Sequence, residues 1–527
     1  MKLKACFLFY FLLSSVVLFA QEQADDEKVI FYIRNIDFDI SGKGITGKTK
    51  QFALLHNGEF KEGERIIGKT ALEKYIEDKT QLLINQRVLE SVKIIYVLGE
   101  IEEDQTPVDL LVTTVDSNNF LVLPEPKFSS SSGFDVELKL RDYNFLGTMS
   151  PLRFDIGYSL DEDELWNWSK GSFNFVIDSD TPFTLFGYKW NFNFDHDFSY
   201  TFGEPLYYKN VTGISMNLPF RRTTFTAGFD ENIVFNERNA TMHQAEFGRY
   251  AFFYMSSELY ASWKIPFGIS IGKSGGFGEL TYTPKLSGKI KYSPRGLDEI
   301  RRGFVLTMSH TLGFGRINWI ENYRNGIEAS IDNTNAFNFY RKDWDINWSI
   351  SGAAHKYIRN FFGISGRVRL KQWFFTNSFL GGRYPAYAEV GDVLRGIIDD
   401  DIIAENAGVM LSMSLDIPIR ILHFVPSEWF HSRKLRYINF DLHFSPFMDI
   451  AFLYGHKNVS WKNGLIESSE KSNFSPLISA GVEFIVFPLS WRSIYMRLSL
   501  GYNINKLIKT KNLPLYDEVF IGVGHQY

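Results

Sequence analysis

Apolar and polar residues alternate with a period of two over most of this chain. In one run Val409, Leu411, Met413, Leu415, Ile417 and Ile419 share a face, with Met410, Ser412, Ser414, Asp416 and Pro418 between them. Thr184 to Phe194 sets Phe186, Tyr188, Trp190, Phe192 and Phe194 against Gly187, Lys189, Asn191 and Asn193. Leu152, Phe154, Ile156 and Tyr158 likewise alternate with Arg153, Asp155, Gly157 and Ser159. Strands with one aromatic-rich face and one polar face, separated by turn-rich segments, suit lipid outside and water inside. From about residue 130 to Tyr527 there is room for roughly sixteen strands at about 25 residues per strand and connection. An even count lets the sheet close and removes edges that lipid cannot solvate. The expected fold is therefore a transmembrane antiparallel β-barrel of about 16 strands over residues 130–527.

Residues 29–116 follow a different grammar. A strand from Val29 to Ile40 reaches a turn at Ser41-Gly42-Lys43-Gly44, and a short helical segment spans Thr49 to Leu55. A longer helix begins near Thr70, with Leu72, Tyr75, Ile76, Lys79 and Leu83 at helical spacing and Glu73, Lys74, Glu77 and Asp78 outside. Strands from Val88 to Leu98 and from Val108 to Val115 close the unit around an acidic hairpin loop. This predicts one small α+β domain, joined to the barrel by a linker over 117–129. Ahead of it, Lys2 and Lys4 precede an apolar run from Ala5 to Leu13, with Ala20-Gln21 as a cleavage point. Residues 1–20 thus read as an export signal and 21–28 as a short acidic segment. Cys6, the single cysteine, falls inside the signal, so the mature chain holds no disulfide, Cys-ligated zinc or cysteine nucleophile.

Composition sharpens this. The chain is 16% aromatic, with 49 Phe, 26 Tyr and 11 Trp, yet its mean hydropathy is only -0.14. Aromatic girdles on strands whose alternate residues stay polar produce that combination. A secreted β-sandwich or lectin is the competing reading, but Val519, Ile521, Val523 and Tyr527 carry a lipid-type strand to the last residue. No run after Ala20 is long and apolar enough for a membrane helix. A net charge of -5 gives no basic footprint, so nucleic acid is not an expected partner. Gly272-Lys273-Ser274-Gly275-Gly276 fits the G-x-S-x-G nucleophile elbow, but both flanks are strand-like where an elbow needs a helix to follow. Asp195-His196-Asp197 points to alternate faces and cannot converge on a metal. With no H-E-x-x-H and no G-x-x-x-x-G-K-[ST], neither an enzyme nor a cofactor is expected.

Leu394-Arg395-Gly396-Ile397 lies in a loop just before the run that starts at Val409, and an arginine within a barrel needs an enclosed partner. Arg141-Asp142-Tyr143-Asn144-Phe145-Leu146-Gly147 follows the N-terminal unit. On these residues and the domain order, the chain resembles the BamA superfamily of outer-membrane insertases and two-partner secretion translocases. Its N-terminal unit resembles a POTRA domain. Leu394-Arg395-Gly396-Ile397 is similar to the family's V-R-G-F or V-R-G-Y, with Leu for Val and Ile for the aromatic. Asp142 to Gly147 is similar to its aspartate-x-asparagine-phenylalanine-leucine-glycine pattern. The resemblance implies that Arg395, on a sixth extracellular loop, folds into the lumen and pairs with an acidic residue of a late strand. Gly481-Val482-Glu483 resembles the family's G-x-D with Glu for Asp, and its parity turns Glu483 inward. Glu483 is the expected partner and Asp449 the alternative.

The resemblance further implies a lateral seam between the strand Phe134 to Leu140 and the last strand. It would be lined by Val136, Leu138, Val519, Ile521, Gly522, Val523, Gly524 and Tyr527 and loosened by Gly522 and Gly524. The implied function is an accessory outer-membrane insertase, with a translocase exporting one partner protein as the alternative and a surface adhesin as a third reading. Implied partners are outer-membrane lipid, unfolded outer-membrane or secreted protein clients, and periplasmic chaperones or assembly lipoproteins. The N-terminal domain is expected in the periplasm.

Overall fold

The computed structural model describes residues 29–523 apart from 43, 103, 130–132, 161–170, 204–205, 237–252, 271–277, 298–300, 360–361, 376–385, 390–393, 396–401, 406, 455–458, 463–464, 469–475 and 512–517. The export signal, the acidic segment 21–28, Gly272 to Gly276, Gly396, Ile397, Gly524 and Tyr527 lie outside the described residues.

The N-terminal domain runs β1 (Ile30–Ser41), α1 (Gln51–Asn57), β2 (Arg65–Ile67), α2 (Lys69–Asn85), β3 (Leu89–Leu98) and β4 (Gln105–Asp116). Its sheet order is β2-β1-β4-β3, with β1 parallel to β4 and the other pairs antiparallel. The helical spacing in α2 buries Leu72, Lys79 and Leu83 against that sheet. Ile33, Leu54, Val108 and Leu110 complete an apolar centre that also takes Met149, which lies beyond the first two barrel strands. The domain's core therefore crosses the boundary expected at residue 116.

Nineteen strand segments close into a barrel. Two of them, Ala407–Asp416 and Ile419–Phe424, both pair with Phe362–Phe375 and with Phe440–Tyr454. They are halves of one interrupted strand, which leaves eighteen strands among the described residues. The run from Val409 to Ile419 is thus broken where a continuous strand was expected. Pro418 has no N–H for the ladder. Its carbonyl instead accepts from the Gly363 N–H at 2.9 Å, and the Ile417 N–H donates to the Pro446 carbonyl at 3.1 Å. The count exceeds sixteen because several hairpins turn in two residues. Phe186-Gly187 is one, with φ of 54° and 78°, so the stretch Thr184 to Phe194 is two strands and not one.

The first barrel strand is Phe120–Ser129, inside the segment expected to be a linker. Pro124 and Pro126 broke its alternation, yet it pairs in continuous register with Gly133–Asp142, from Phe120 opposite Asp142 to Ser129 opposite Gly133. It closes the barrel against the last strand, Glu518–Val523. Along the wall Leu259, Trp263, Leu286, Val368 and Leu415 are exposed on the outer face, while Ser256, Ser287 and Ser412 are buried on the inner one. An apolar outside on a sheet without edges is what a bilayer requires.

The N-terminal domain is docked on one mouth of this barrel. Arg316 pairs with Asp78 of α2 at 2.5 Å. Asn85 donates to Asn318 at 2.9 Å and accepts from the Trp319 N–H at 2.9 Å. The Arg87 guanidinium lies 4.2 Å above the Trp319 ring. Between domain and wall remains a cavity of about 1490 Å³.

Candidate functional site

Three neighbouring strands bring a carboxylate each to one point of the lumen. Asp416 ends the first half of the interrupted fourteenth strand, just before the break at Pro418. Asp449 sits on the inner face of Phe440–Tyr454 with Ser445 and Phe447, and Glu483 on that of Leu477–Pro488 with Ser479. The period of two places them there, because Asp449 stands opposite Ser414 and Ser479, and Glu483 opposite Ser445 and Ser499.

Arg395 enters this cluster from the loop between Phe362–Phe375 and Ala407–Asp416, and its side chain is 5% exposed. Its Nε and Nη2 donate to the two Asp449 oxygens at 2.8 and 2.7 Å, and its backbone N–H to the same carboxylate at 3.1 Å. Nη1 donates to Asp416 at 2.5 Å and lies 3.3 Å from Glu483. The guanidinium carbon is 3.7 Å from the centre of the Phe447 ring. Two further cations balance the carboxylates: Arg497 donates to Glu483 at 3.3 Å, and Arg367 lies 3.7 Å from Asp416. Three guanidinium groups thus face three carboxylates in a nearly dry pocket, the condition under which burying such charges is tolerated.

Gly481 explains its place in Gly481-Val482-Glu483. A Cβ there would stand 2.7 Å from the Phe447 ring and 2.0 Å from the Leu500 carbonyl oxygen. The missing side chain leaves room for the ring on which Arg395 lies.

The structure brings Arg395 to both expected carboxylates but reverses their order, since Asp449 receives the bidentate fork and Glu483 one longer contact. Leu394 beside it is buried. Asp416 was not expected as a partner, although its parity in the run from Val409 had already placed it on the wet face. By strand count the loop is the seventh at its end of the barrel, not the sixth. Val136 and Leu138 are exposed on the second strand, one removed from closure. Val519, Ile521, Gly522 and Val523 lie in the last strand, opposite Leu500, Leu498, Arg497 and Met496. The closing pair is therefore Glu518–Val523 with Phe120–Ser129 and not with Phe134 to Leu140.

A second constellation ties the domain to the barrel. Asp142 accepts from the Thr46 hydroxyl at 2.6 Å and from the Asn144 N–H at 3.0 Å. Asn144 donates to the Thr49 hydroxyl at 2.8 Å and accepts from the Met149 N–H at 2.8 Å. Thr49 in turn donates to Asp116 at 2.6 Å. The Lys50 N–H donates to the Gly147 carbonyl at 2.8 Å. Gly147 has φ of 73°, and a Cβ there would stand 2.0 Å from the Lys48 carbonyl oxygen. Asp142 to Gly147 is a clasp between the turn that follows the second barrel strand and the segment that leads into α1.

Fold and site together define a closed barrel of the membrane-spanning class, with an α+β domain held on its mouth and a loop arginine locked in its lumen. No family model and no curated protein matches the chain. Solved structures do. BamA from Haemophilus ducreyi lacking POTRA domains 1–3 aligns at 15% identity over 90% of this chain and 81% of that one, with a TM-score of 0.34. CdiB from Escherichia coli aligns at 12% identity over 93% and 75%, with a TM-score of 0.46. CdiB from Acinetobacter baumannii aligns at 12% identity over 90% and 70%, with a TM-score of 0.44. At these values the likenesses assign no function.

Proposed function

We propose that this protein is an outer-membrane, protein-handling barrel that acts as an accessory insertase. The observation that carries the reading is Arg395, a loop arginine drawn into the lumen and fixed to carboxylates of three consecutive strands. Passive pores need no such lock. The lock extends toward the closing pair through Arg497, which also holds Glu483 and stands opposite Gly522 of the last strand. Pro124 and Pro126, two apart in the first strand, remove two ladder donors from the same side of it. Closure at a strand that lacks two ladder donors is the seam at which a client strand would add. The N-terminal domain, in the periplasm on this reading, offers a second edge. On β3 Ile95, Val97 and Leu98 are exposed, beside a groove lined by Glu73 and Ile76 of α2.

The test is a set of cysteine pairs scanned along the closing strands, each joining one residue of Phe120–Ser129 to one of Glu518–Val523. Oxidised cells should lose outer-membrane proteins, and reduction should restore them. Unchanged levels in fully cross-linked protein would remove the seam. The second reading, a translocase, is favoured by the cavity at the mouth. Depletion separates the two, since an insertase affects many barrels and a translocase one secreted protein.

A further inference from the structure

The cavity between the N-terminal domain and the barrel wall has a charge opposite to that of the chain. The protein carries 56 Lys and Arg against 61 Asp and Glu. The cavity lining instead carries ten Lys and Arg against five Asp and Glu. Part of that excess is accounted for. Arg316 is held by Asp78, Arg367 lies near Asp416, and Arg395 belongs to the lumen lock. Lys79 donates to the Glu59 carbonyl at 2.7 Å. The Lys189 ammonium lies 3.0 Å from His56 Nδ1 and has no carboxylate partner among the described residues. Arg222, Lys264 and Arg369 have no carboxylate partner among the described residues, and all three side chains are exposed to the cavity. Lys61 of the N-terminal domain faces them from the opposite side.

The distribution of these cations matters as much as their number. Lys189 begins the fifth barrel strand, Arg222 lies in the turn between Tyr207–Phe220 and Thr223–Phe235, Lys264 is on Phe253–Ser270 and Arg369 on Phe362–Phe375. They are spread around the wall and do not converge on one point, as the ligands of a small anion would. Like charges facing a shared, confined volume reinforce one another within a Debye length of about 10 Å and raise the local concentration of anions.

We propose that this vestibule binds an extended acidic polypeptide segment, threaded between the N-terminal domain and the barrel wall. The identity of the occupant as a client rests on the protein-handling reading; the vestibule's preference for a polyanionic chain does not.

The test uses the full-length protein in detergent micelles and a fluorescein-labelled oligoglutamate peptide, followed by anisotropy. An oligolysine peptide of equal length is the control. Oligoglutamate should bind, oligolysine should not, and rising sodium chloride should weaken the complex. The variant with Arg222→Gln, Lys264→Gln and Arg369→Gln should bind about tenfold more weakly. These side chains carry no ion pair among the described residues, so the variant should keep the heat-modifiable gel mobility of an intact barrel. Should that mobility be lost, each single variant is measured in its place. Equal binding of the two peptides, or wild-type affinity in the variants, would overturn the proposal. Displacement of the peptide by inorganic phosphate at constant ionic strength would also overturn it, in favour of a small-anion site. Failure here would leave the seam cross-linking result untouched, so the two readings fall separately.

Discussion

At Arg395 every guanidinium nitrogen is directed at a carboxylate, so removing it strands charge in a pocket that water barely reaches. Arg395→Ala should destabilise the barrel by about 3–5 kcal/mol, read as a lower midpoint of heat-modifiable gel mobility. Arg395→Lys keeps the charge but not the fork to Asp449, and should recover only part of that loss. A wild-type midpoint in both variants would refute the lock. Next to it, Gly481→Ala pushes a methyl into the Phe447 ring and the Leu500 carbonyl and should cost about 1–3 kcal/mol. Ser479→Ala, on the same strand face, is the contrasting case. The Ser479 hydroxyl is buried with no hydrogen-bond partner among the described residues, so its removal should be neutral or stabilising. In the docked domain, burial lowers the Lys79 pKa from its ordinary 10.5. The unfolded chain then holds this proton more tightly than the folded one. Domain stability should therefore rise with pH from the lowered value up to about 10.5, and Lys79→Met should lose that slope in denaturant titrations. Two of the three carboxylates of the lock were legible in the sequence, Glu483 by its parity and motif and Asp449 as the alternative, whereas Asp416 was not. Their ranking was not, because it depends on how far the loop backbone descends, and that depth has no period in the sequence.

Among the elements, the clasp from Asp142 to Gly147 is the piece whose motif had no physical reading in the sequence. Its hydrogen bonds run to Thr46 and Thr49, about a hundred residues earlier, and nothing in either segment's pattern announces the other. Asn144→Ala removes the donor to Thr49 and the acceptor for Met149 together. It should release the N-terminal domain enough for limited proteolysis to cut between domain and barrel several-fold faster, while gel mobility of the barrel stays unchanged. Equal cleavage rates would show that the contacts of Arg87, Asn85 and Asp78 suffice alone. Most strands were readable because one face meets lipid and the other water. Phe120–Ser129 was hidden by Pro124 and Pro126, and the fourteenth strand was read as unbroken because Pro418 fits the polar phase of the alternation. In both cases hydrogen-bond chemistry, not hydropathy, sets the outcome.

Across the whole molecule, pairing strength is uneven. The wall from Tyr188 to Arg359 is made of long strands, with sixteen paired positions between Val305–Ile320 and Tyr323–Asn338, whereas Phe120–Ser129 at the closure lacks two ladder donors at Pro124 and Pro126. Amide hydrogen exchange should therefore be fastest along Phe120–Ser129 and Glu518–Val523 and slowest along Val305–Ile320 and Tyr323–Asn338. Uniform protection would argue against a weak closing pair. The two-part organisation was legible from the change of periodicity near residue 116, but the true border is not a point on the chain. Met149 is 6% exposed inside the domain's core, and Tyr143 packs against the same cluster. That single methionine bears on the order of folding. Residues 29–116 alone would collapse around a Met149-shaped void, and such voids cost stability in proportion to their volume. The domain can reach its final compactness only after the first barrel hairpin has formed and turned back. Assembly of the barrel therefore finishes the domain that precedes it, and the slowest step of the one is a step of the other.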